Sequence, residues 1–578
     1  MIKTTKPSKP SKPSAKEVLY AYVPILAWLP AYQKSWFRAD LIASLTVMAL
    51  LVPEGMAYAG IAGMPPETGL YAAILALLLY AILGSSRHLS VGPSSTVAAL
   101  SFSVVAALAV PGSDDFILLS ITLALTVGLL LIAASVMRLG LLADFLSRPV
   151  LDGFVLGVAI SIAIGQLDKI FAFEPQATYD FVPQVLLFIR DIDMAHWPTV
   201  AVGMGSLAAL FLLHRFVPKV PAPLIVLAAA IALSGLLDFH SYGVHIVGEI
   251  PAGLPPLGFP EGLTLAKIAT LLSGAVGVTL VVFAESVAVA RSYAVKYGYE
   301  VNADQELLAL GMANVGSAFS GAFVGNGSMS RTAAAVSAGA QSQMVSLIGA
   351  GVVLVTALAF TPLFYYLPEA TLGAIVIYAV SHSIQPQRVL KYRAITGLDF
   401  ATAVIATFGV LSLGLLEGLL LAAGLGLVVL LFNSKRRNTV VLGRVPGTDV
   451  FRNRENYPDS ETFPGLLILR YDGTLFFANS PDFATAVRQQ IANSTPPPKV
   501  VLLDCESMND VDATAVITLI ELQNELARAG VSLRLARVKT SVQAVMRRAE
   551  LEKAIPPEHW YFTVRDGVNS FLHETGQS

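Results

Sequence analysis

Long apolar stretches with almost no charge follow one another from Leu41 to Phe432. An α-helix of about 20 apolar residues crosses a hydrocarbon core of about 30 Å, and several of the stretches are at or near this length. Four examples are residues 117–136, 199–213, 344–360 and 401–416. The pattern predicts a polytopic α-helical membrane protein.

The hydropathy pattern changes near residue 434, where charged residues become as frequent as in an ordinary globular domain. Short apolar runs then alternate with amphipathic stretches. GLLILRYDG, TLFFAN, KVVLLDCE and VSLRLARV are predicted strands, and PDFATAVRQQIA, DATAVITLIELQNELARAG and TSVQAVMRRAEL are predicted helices. This part is predicted to be one α/β domain.

Composition agrees with this division, since 55% of the 578 residues are hydrophobic, only 13% are charged and the mean hydropathy is +0.66. Residues 1–17 form a Lys/Pro/Ser-rich tail that is expected to be disordered and cytoplasmic. Lys435, Arg436 and Arg437 follow the last apolar run, so the positive-inside rule places the C-terminal region in the cytoplasm as well. An even number of spans follows, and the plasma (inner) membrane is the expected location. The predicted divisions are 1–17 tail, 18–433 transmembrane domain, 434–462 linker and 463–578 C-terminal domain.

Two polar, glycine-containing segments interrupt the apolar pattern, RHLSVGPSSTVAALS at 87–101 and GNGSMSRTAAAVSAGA at 325–340. Interrupted helices at matching positions in two halves of a transporter mark the substrate site, so the two segments are expected to meet. Helices that begin near Ser94 and Ser330 would direct the positive ends of their dipoles into one anion-binding cavity. The candidate hydroxyl donors are Ser94, Ser95, Thr96, Ser328, Ser330 and Thr332.

Arg331 is the most informative of these residues, because a guanidinium stays charged at physiological pH and costs roughly 2.5–3.5 kcal/mol near the bilayer centre. A bound anion would offset that cost. Glu54 and Glu285 also lie in apolar runs, and removal from water favours the neutral form of a carboxyl group, so both are candidates for proton coupling. One alternative is that the hydroxyls only cap helices. The others are that Arg331 pairs with a carboxylate, one of these two acids included, and only braces the fold, or that it snorkels to an interface.

The sequence resembles the SulP family of inorganic anion transporters. Residues 40–95, beginning DLIASLTVMALLVPEGMAYAG, look like the family signature around its first three spans, and residues 301–343, which contain GSMSRTA, look like the stretch through its tenth span. The C-terminal domain resembles a STAS domain, with DCESMNDVDATAV at the signature loop. The resemblance implies about fourteen transmembrane helices in two inverted seven-span repeats, forming core and gate domains, followed by a cytosolic α/β STAS domain.

Substrate contacts carried over from the family fall on Glu54, Tyr58, Ser94, Ser95, Glu285, Ser328, Ser330 and Arg331. Sodium-coupled bicarbonate relatives tend to have Asp at the Glu285 position and a hydroxyl one turn later, where this chain has Val289, so protons are favoured over sodium. In the STAS loop, Asp512 is followed by Ala513 rather than by a phosphorylatable residue. Asp512 and Thr514 remain regulatory candidates, with an ordinary helix cap as the alternative for Asp512.

The expected function is secondary active transport of an inorganic anion, with sulfate first, by proton symport or anion exchange. Bicarbonate or a C4-dicarboxylate is the alternative substrate, and a passive anion channel or a membrane-anchored signalling protein is the alternative function. No catalytic set or metal-ligand spacing stands out among 8 histidines and one cysteine, so no enzyme, cofactor, metal or nucleic-acid partner is expected. Protons, the lipid bilayer and a second copy of the chain are the expected partners.

Overall fold

The computed structural model describes residues 19–20, 22–140, 147–173, 181–217, 220–258, 261–434 and 439–576. The tail at 1–17 and the basic residues 435–437, which carried the prediction of cytoplasmic termini, lie outside the described residues. The chain forms two compact units, Met1–Gly426 and Leu427–Ser578.

The first unit is almost entirely helical. Its α-helices are α1 Ile25–Trp28, α2 Phe37–Ile61, α3 Pro66–Leu83, α4 Ser95–Ala106, α5 Asp114–Val136, α6 Arg148–Gly165, α7 Leu167–Phe171, α8 Phe181–Asp191, α9 Trp197–Phe216, α10 Ala222–Leu237, α11 Leu265–Tyr297, α12 Ala303–Phe319, α13 Met329–Ser337, α14 Met344–Val355, α15 Glu369–Ser381, α16 Pro386–Ile395, α17 Gly397–Leu413 and α18 Leu415–Ser434, the last of which crosses the unit boundary. Two short strands, β1 Ser90–Gly92 and β2 Asn326–Ser328, complete the unit.

Seven helical segments of the described chain are long and apolar enough to cross a membrane. They are Lys34–Ile61, Pro66–Leu83, Asp114–Val136, Arg148–Phe171, Trp197–Phe216, Leu265–Tyr297 and Met344–Phe364. The helices α4, α10 and α17 are apolar but shorter. A helical membrane domain is therefore present, while the number of about fourteen spans and the two inverted repeats stay predictions.

The hydropathy of residues 401–416 predicted a single helix, but the structure divides this apolar run between two helices. α17 ends at Leu413, Gly414 has φ 103° and ψ 170°, and α18 begins at Leu415. A positive φ of this kind is easily adopted only by glycine, so one residue ends the helix inside a continuous apolar stretch.

A buried carboxylate fixes the segment that leads into β1. Glu306 of α12 is fully buried, and its oxygens accept hydrogen bonds from the Tyr80 hydroxyl at 2.6 Å and from the Ser85 amide and hydroxyl at 2.8 and 2.7 Å. Gln343 holds the next residues, because its Nε2 donates to the carbonyl oxygens of Ser86 and Leu89 at 2.8 and 3.0 Å. A charge-assisted network of this kind is rigid when every member is satisfied, and it places β1 against the rest of the unit.

The second unit contains a six-stranded sheet with the order β4-β3-β5-β6-β7-β8. Its strands are β3 Thr439–Arg444, β4 Phe451–Asn453, β5 Leu466–Tyr471, β6 Val500–Asp504, β7 Ser532–Ala536 and β8 Trp560–Tyr561. Strands β5 to β8 pair in parallel, whereas β3 pairs antiparallel with β4 and β5. The helices are α19 Ser480–Ala492, α20 Ala513–Arg528, α21 Thr540–Arg548, α22 Leu551–Ala554 and α23 Val564–Thr575. The predicted α/β class of this part is confirmed.

Two local predictions for this unit differ from the structure. TLFFAN, predicted as a strand, contributes only an isolated bridge at Leu475 before a turn that leads into α19, because Asn479 accepts from the Phe476 amide at 2.8 Å and stabilises the turn. The strands β3 and β4 lie within residues 434–462, the segment that the sequence analysis assigned to a linker.

Gly69 allows α2 and α3 to pack closely, which generates a stability prediction. A Cβ atom at Gly69 would lie 2.0 Å from the Gly55 carbonyl oxygen, so Gly69→Ala is expected to destabilise the protein by about 1–3 kcal/mol through overpacking. Gly351→Ala in α14 is the matched control, because a Cβ there meets nothing within 4 Å. Thermal unfolding in detergent should show a lower Tm for Gly69→Ala only; equal Tm values for the two variants would contradict the close contact.

Cys505, directly after β6, is the basis of a second prediction. Its side chain is fully buried, and burial raises the pKa of the Cys505 thiol well above its usual range. Since the thiolate is the reactive form, a maleimide should leave the native protein unlabelled and label it once after denaturation. Mass spectrometry of the intact chain measures this, and fast labelling of the native protein would contradict the buried position.

Candidate anion site

The two polar interruptions meet, as the sequence predicted. β1 and β2 pair antiparallel, with Ser90 opposite Ser328 and Gly92 opposite Asn326. α13 begins at Met329, directly after β2, and α4 begins at Ser95, with two residues between it and the end of β1. The pairing therefore brings together two helix starts, each with N–H groups that lack an intrahelical acceptor and with the positive end of its dipole.

Arg331 lies in the first turn of α13 and is only 1% exposed. Its Nη1 atom donates to the Pro93 carbonyl oxygen at 2.6 Å, which attaches the guanidinium to the loop between β1 and α4. The Nε and Nη2 atoms are buried and have no hydrogen-bond partner among the described residues. Unpaired N–H groups on a buried cation are costly, and the oxygens of a bound anion would satisfy them.

Glu54 of α2 provides the negative charge nearest to Arg331. Its Oε2 atom lies 3.8 Å from Arg331 Nη1, both side chains are buried, and Oε2 accepts no hydrogen bond in the described structure. The alternative that Arg331 pairs with an acid is thus realised as an ion pair without a hydrogen bond. Tyr58, one turn later on α2, is also buried. Glu54 therefore competes with any anion for the guanidinium.

The predicted hydroxyls differ in what they bind. Ser94 is the N-cap residue of α4, but its side chain makes no capping hydrogen bond and its buried Oγ has no partner in the described structure; Ser95 and Thr96 are half-buried. At the start of α13, Ser328 Oγ accepts from the Arg331 amide at 3.4 Å. It also lies 3.1 Å from Ser330 Oγ, and the Ser330 side chain is exposed. The start of α4 is thus the side with unused donors.

Thr332 has a structural role instead. Its Oγ1 accepts from the Ser90 amide at 3.1 Å and donates to the Ser328 carbonyl oxygen at 2.6 Å. The first bond joins β1 to α13, and the second lies within the first turn of α13, so the hydroxyl is already used by the fold.

Glu285 of α11 does not join the Arg331–Glu54 pair. Its Oε2 accepts a hydrogen bond from Asn326 Nδ2 at 2.7 Å, while the neighbouring Ser286 Oγ accepts from the Gly327 amide at 2.8 Å. Sequence reasoning did not single out Asn326, Ser286 or Pro93. Of these three residues, only Asn326 could have been identified from the sequence pattern, since it is a polar residue inside the second interruption.

The regulatory candidates lie in the second unit. Asp512 is the N-cap of α20, where Oδ1 accepts from the Ala515 amide at 2.8 Å and Oδ2 from the Phe477 amide at 2.9 Å. Thr514, in the first turn of the helix, is exposed. The ordinary helix-cap interpretation of Asp512 is what the geometry shows.

A helical membrane unit in which a buried guanidinium lies between two helix starts is the arrangement of a transport protein. The described residues contain no group of three or more His, Cys, Asp or Glu side chains that could hold a metal ion.

The chain belongs to the sulfate permease family, whose profile matches residues 37–406, and residues 457–567 match the STAS domain. This is a family of membrane-embedded transporters rather than enzymes.

Similar proteins agree with the assignment. A protein of Mycobacterium tuberculosis named "Probable sulfate transporter" is 36% identical over 550 residues, which is 95% of this chain and 98% of the relative. Sulfate transporter 4.1, chloroplastic, of Arabidopsis thaliana is 33% identical, with 95% of this chain and 82% of the relative covered.

Solved structures show the same fold. The structure of SLC26A9 has a TM-score of 0.89 at 24% identity, covering 99% of this chain and 98% of its own. The transmembrane domain of the cyanobacterium bicarbonate transporter BicA has a TM-score of 0.59 at 21% identity, covering 68% of this chain and 98% of its own.

The Glu54–Arg331 geometry predicts that Glu54→Gln strengthens anion binding. The substitution keeps the shape of the side chain and removes a negative charge that repels the anion. The repulsion between two unit charges about 5 Å apart is about 3 kcal/mol at an effective dielectric constant of about 20. Sulfate affinity at neutral pH should rise about tenfold or more, as measured by isothermal titration calorimetry in detergent.

Glu417→Gln is the control for this measurement, since Glu417 lies in α18 and is exposed. Equal or weaker sulfate affinity in Glu54→Gln would contradict the competition between this carboxylate and the anion.

Proposed function

We propose that the protein is a secondary active transporter that carries an inorganic anion, sulfate in the first place, with protons as the coupling ion. The observation that supports this most directly is Arg331, a buried guanidinium beside the start of α4 in which two nitrogen atoms have no partner among the described residues. The substrate-binding residues in this proposal are Glu54, Tyr58, Ser94, Ser95, Thr96, Ser328, Ser330 and Arg331.

Coupling is needed because of the membrane potential. A dianion that enters against −100 mV meets an electrical cost of about 4.6 kcal/mol, from about 2.3 kcal/mol per elementary charge. Symport with two protons cancels that cost, and Glu54 and Glu285 are two carboxyl groups in the right region to carry them. Glu54 next to Arg331 suits the role well, because its protonation leaves the full charge of the guanidinium for the substrate.

Sulfate is proposed over bicarbonate or a C4-dicarboxylate because of the names of the relatives, since a guanidinium and helix N-termini attract all three anions. Alternating access by movement of a core domain against a gate domain would carry the site across the plasma membrane. We propose that the STAS domain regulates transport, through the loop containing Asp512 and Thr514, or holds two protomers together with both termini in the cytoplasm.

Uptake of radiolabelled sulfate into proteoliposomes tests the proposal. The wild type should take up sulfate faster with an inward proton gradient, and Arg331→Ala should reduce uptake about a hundredfold, since loss of charge-assisted hydrogen bonds costs about 1.5–3 kcal/mol each. Arg331→Lys, which keeps the charge but not the planar donor array, should retain an intermediate rate. Arg190→Ala is the control, because Arg190 is 69% exposed and paired with Asp191.

Other results would redirect the assignment. No uptake of sulfate, together with uptake of radiolabelled bicarbonate or succinate, would keep the site and replace the substrate. Sulfate currents that exceed carrier turnover and ignore the proton gradient would indicate a channel. Uptake in Arg331→Ala equal to that of the wild type would overturn the proposed site.

A further inference from the structure

Asn326 is a buried amide at the first position of β2, opposite Gly92 of β1. Only one half of the amide is used: Nδ2 donates to Glu285 Oε2 at 2.7 Å, while Oδ1 is buried and has no hydrogen-bond partner among the described residues. A buried unpartnered acceptor is costly, so a second state in which Oδ1 is used has a physical advantage.

The two ends of the amide suit the two charge states of Glu285. A carboxylate only accepts hydrogen bonds, and Nδ2 is a donor; a protonated carboxyl group also donates, and Oδ1 is an acceptor. Rotation of the amide exchanges the two ends at Glu285. The side chain of Asn326 can therefore change its hydrogen bond when Glu285 is protonated and still remain hydrogen-bonded to Glu285.

Three residues connect this amide to the anion site. β2 runs from Asn326 to Ser328, and Ser328 is the N-cap of α13, accepting from the Arg331 amide. Gly327, between them, donates to Ser286 Oγ at 2.8 Å. Two consecutive residues of α11 thus hold two consecutive residues of β2, and only the Glu285–Asn326 contact involves a titratable group.

The elements packed on α11 carry few charged groups. Among the described residues, α4 and β2 contain no charged residue. Ala284, next to Glu285, shares a small apolar cluster with α6, α17 and α18, whose described charged residues are Arg148, Asp152, Asp399 and Glu417. The acids of α5 and α12 lie in the first turns of those helices: Asp114 and Asp115, where Asp115 accepts from Lys267, and Asp304 and Glu306. On α11 itself, the region after Glu285 carries Arg291, Tyr293, Lys296 and Tyr297. At about 1.5 Å per residue, Arg291 lies about 9 Å and Tyr297 about 18 Å from Glu285 along the helix axis.

We propose that Asn326 is the positioning residue that couples protonation of Glu285 to anion binding at Arg331. This inference rests on the proposed proton-coupled transport. The proton changes the hydrogen bond that Asn326 makes, the amide shifts β2, and β2 sets the position of Ser328 and of the guanidinium. Coupling between two ligands is reciprocal, so the anion also favours the protonated state of Glu285.

Sulfate binding at two pH values tests the coupling. All variants are made in the full-length Glu54→Gln protein, so that Glu54 does not titrate, and sulfate Kd values are measured by calorimetry at about pH 8 and about pH 5.5, a range in which a buried carboxyl group titrates. The parent should bind about tenfold more tightly at the lower pH, within the usual range of coupling, and adding Glu285→Gln should remove this ratio.

Adding Asn326→Ala should reduce the pH ratio to about one while sulfate still binds. Asn326→Ser, whose side chain is too short to reach Glu285, should do the same and provides a second folded variant. Ser286→Ala is the matched control: it removes the other contact between α11 and β2 and should keep the ratio. Thermal unfolding in detergent checks that each protein is folded.

The outcomes separate the two proposals. A ratio unchanged by both Asn326 substitutions would overturn the role of Asn326 and leave proton-coupled transport intact. A ratio that persists in the Glu285→Gln variant would overturn both the role of Glu285 in coupling and this inference. If Ser286→Ala also lost the pH ratio, any loosening of β2 would abolish the pH dependence of binding, and the specific role proposed for Asn326 would be overturned.

Discussion

The burial of the Arg331 guanidinium is the constraint on which the membrane unit depends. A full positive charge with 1% exposure is expensive, and the surrounding structure offsets only part of the cost. Pro93 accepts one hydrogen bond at 2.6 Å, and Glu54 supplies a negative charge at 3.8 Å without a hydrogen bond. The remaining N–H groups make the site receptive to an anion, and the Glu54 carboxylate, when charged, opposes it.

The two-stranded sheet converts this local charge into an organised site. Pairing of β1 with β2 places Pro93 beside Arg331 and the start of α4 beside the start of α13. Glu306 and Gln343 hold the approach to β1, while Glu285 and Ser286 hold β2. The helices on either side are thus linked to the site by hydrogen bonds to short, non-helical segments, which is where a small movement changes ligand geometry most.

Two carboxyl groups with different neighbours lie around the site. Glu54 interacts with the guanidinium directly, whereas Glu285 interacts with the amide of Asn326. A proton on Glu54 changes the electrostatic field at the anion, and a proton on Glu285 changes the hydrogen bonding of a strand. In the proposed mechanism the two acids would therefore affect one site by different physical routes, as coupling to more than one proton requires.

The sequence by itself determined the membrane class and the α/β class of the C-terminal domain, because hydropathy and turn residues are local signals. The meeting of the two interruptions was predicted from their matching positions in the two halves of the membrane domain. It also identified Arg331, since a lone cation in an apolar run needs a partner. Only the tertiary structure decided that Glu54 is that cation's neighbour, that Thr332 is used by the fold and that Asn326 binds Glu285. These contacts join residues 41 to 277 positions apart in the chain, and no local pattern encodes which distant side chains meet.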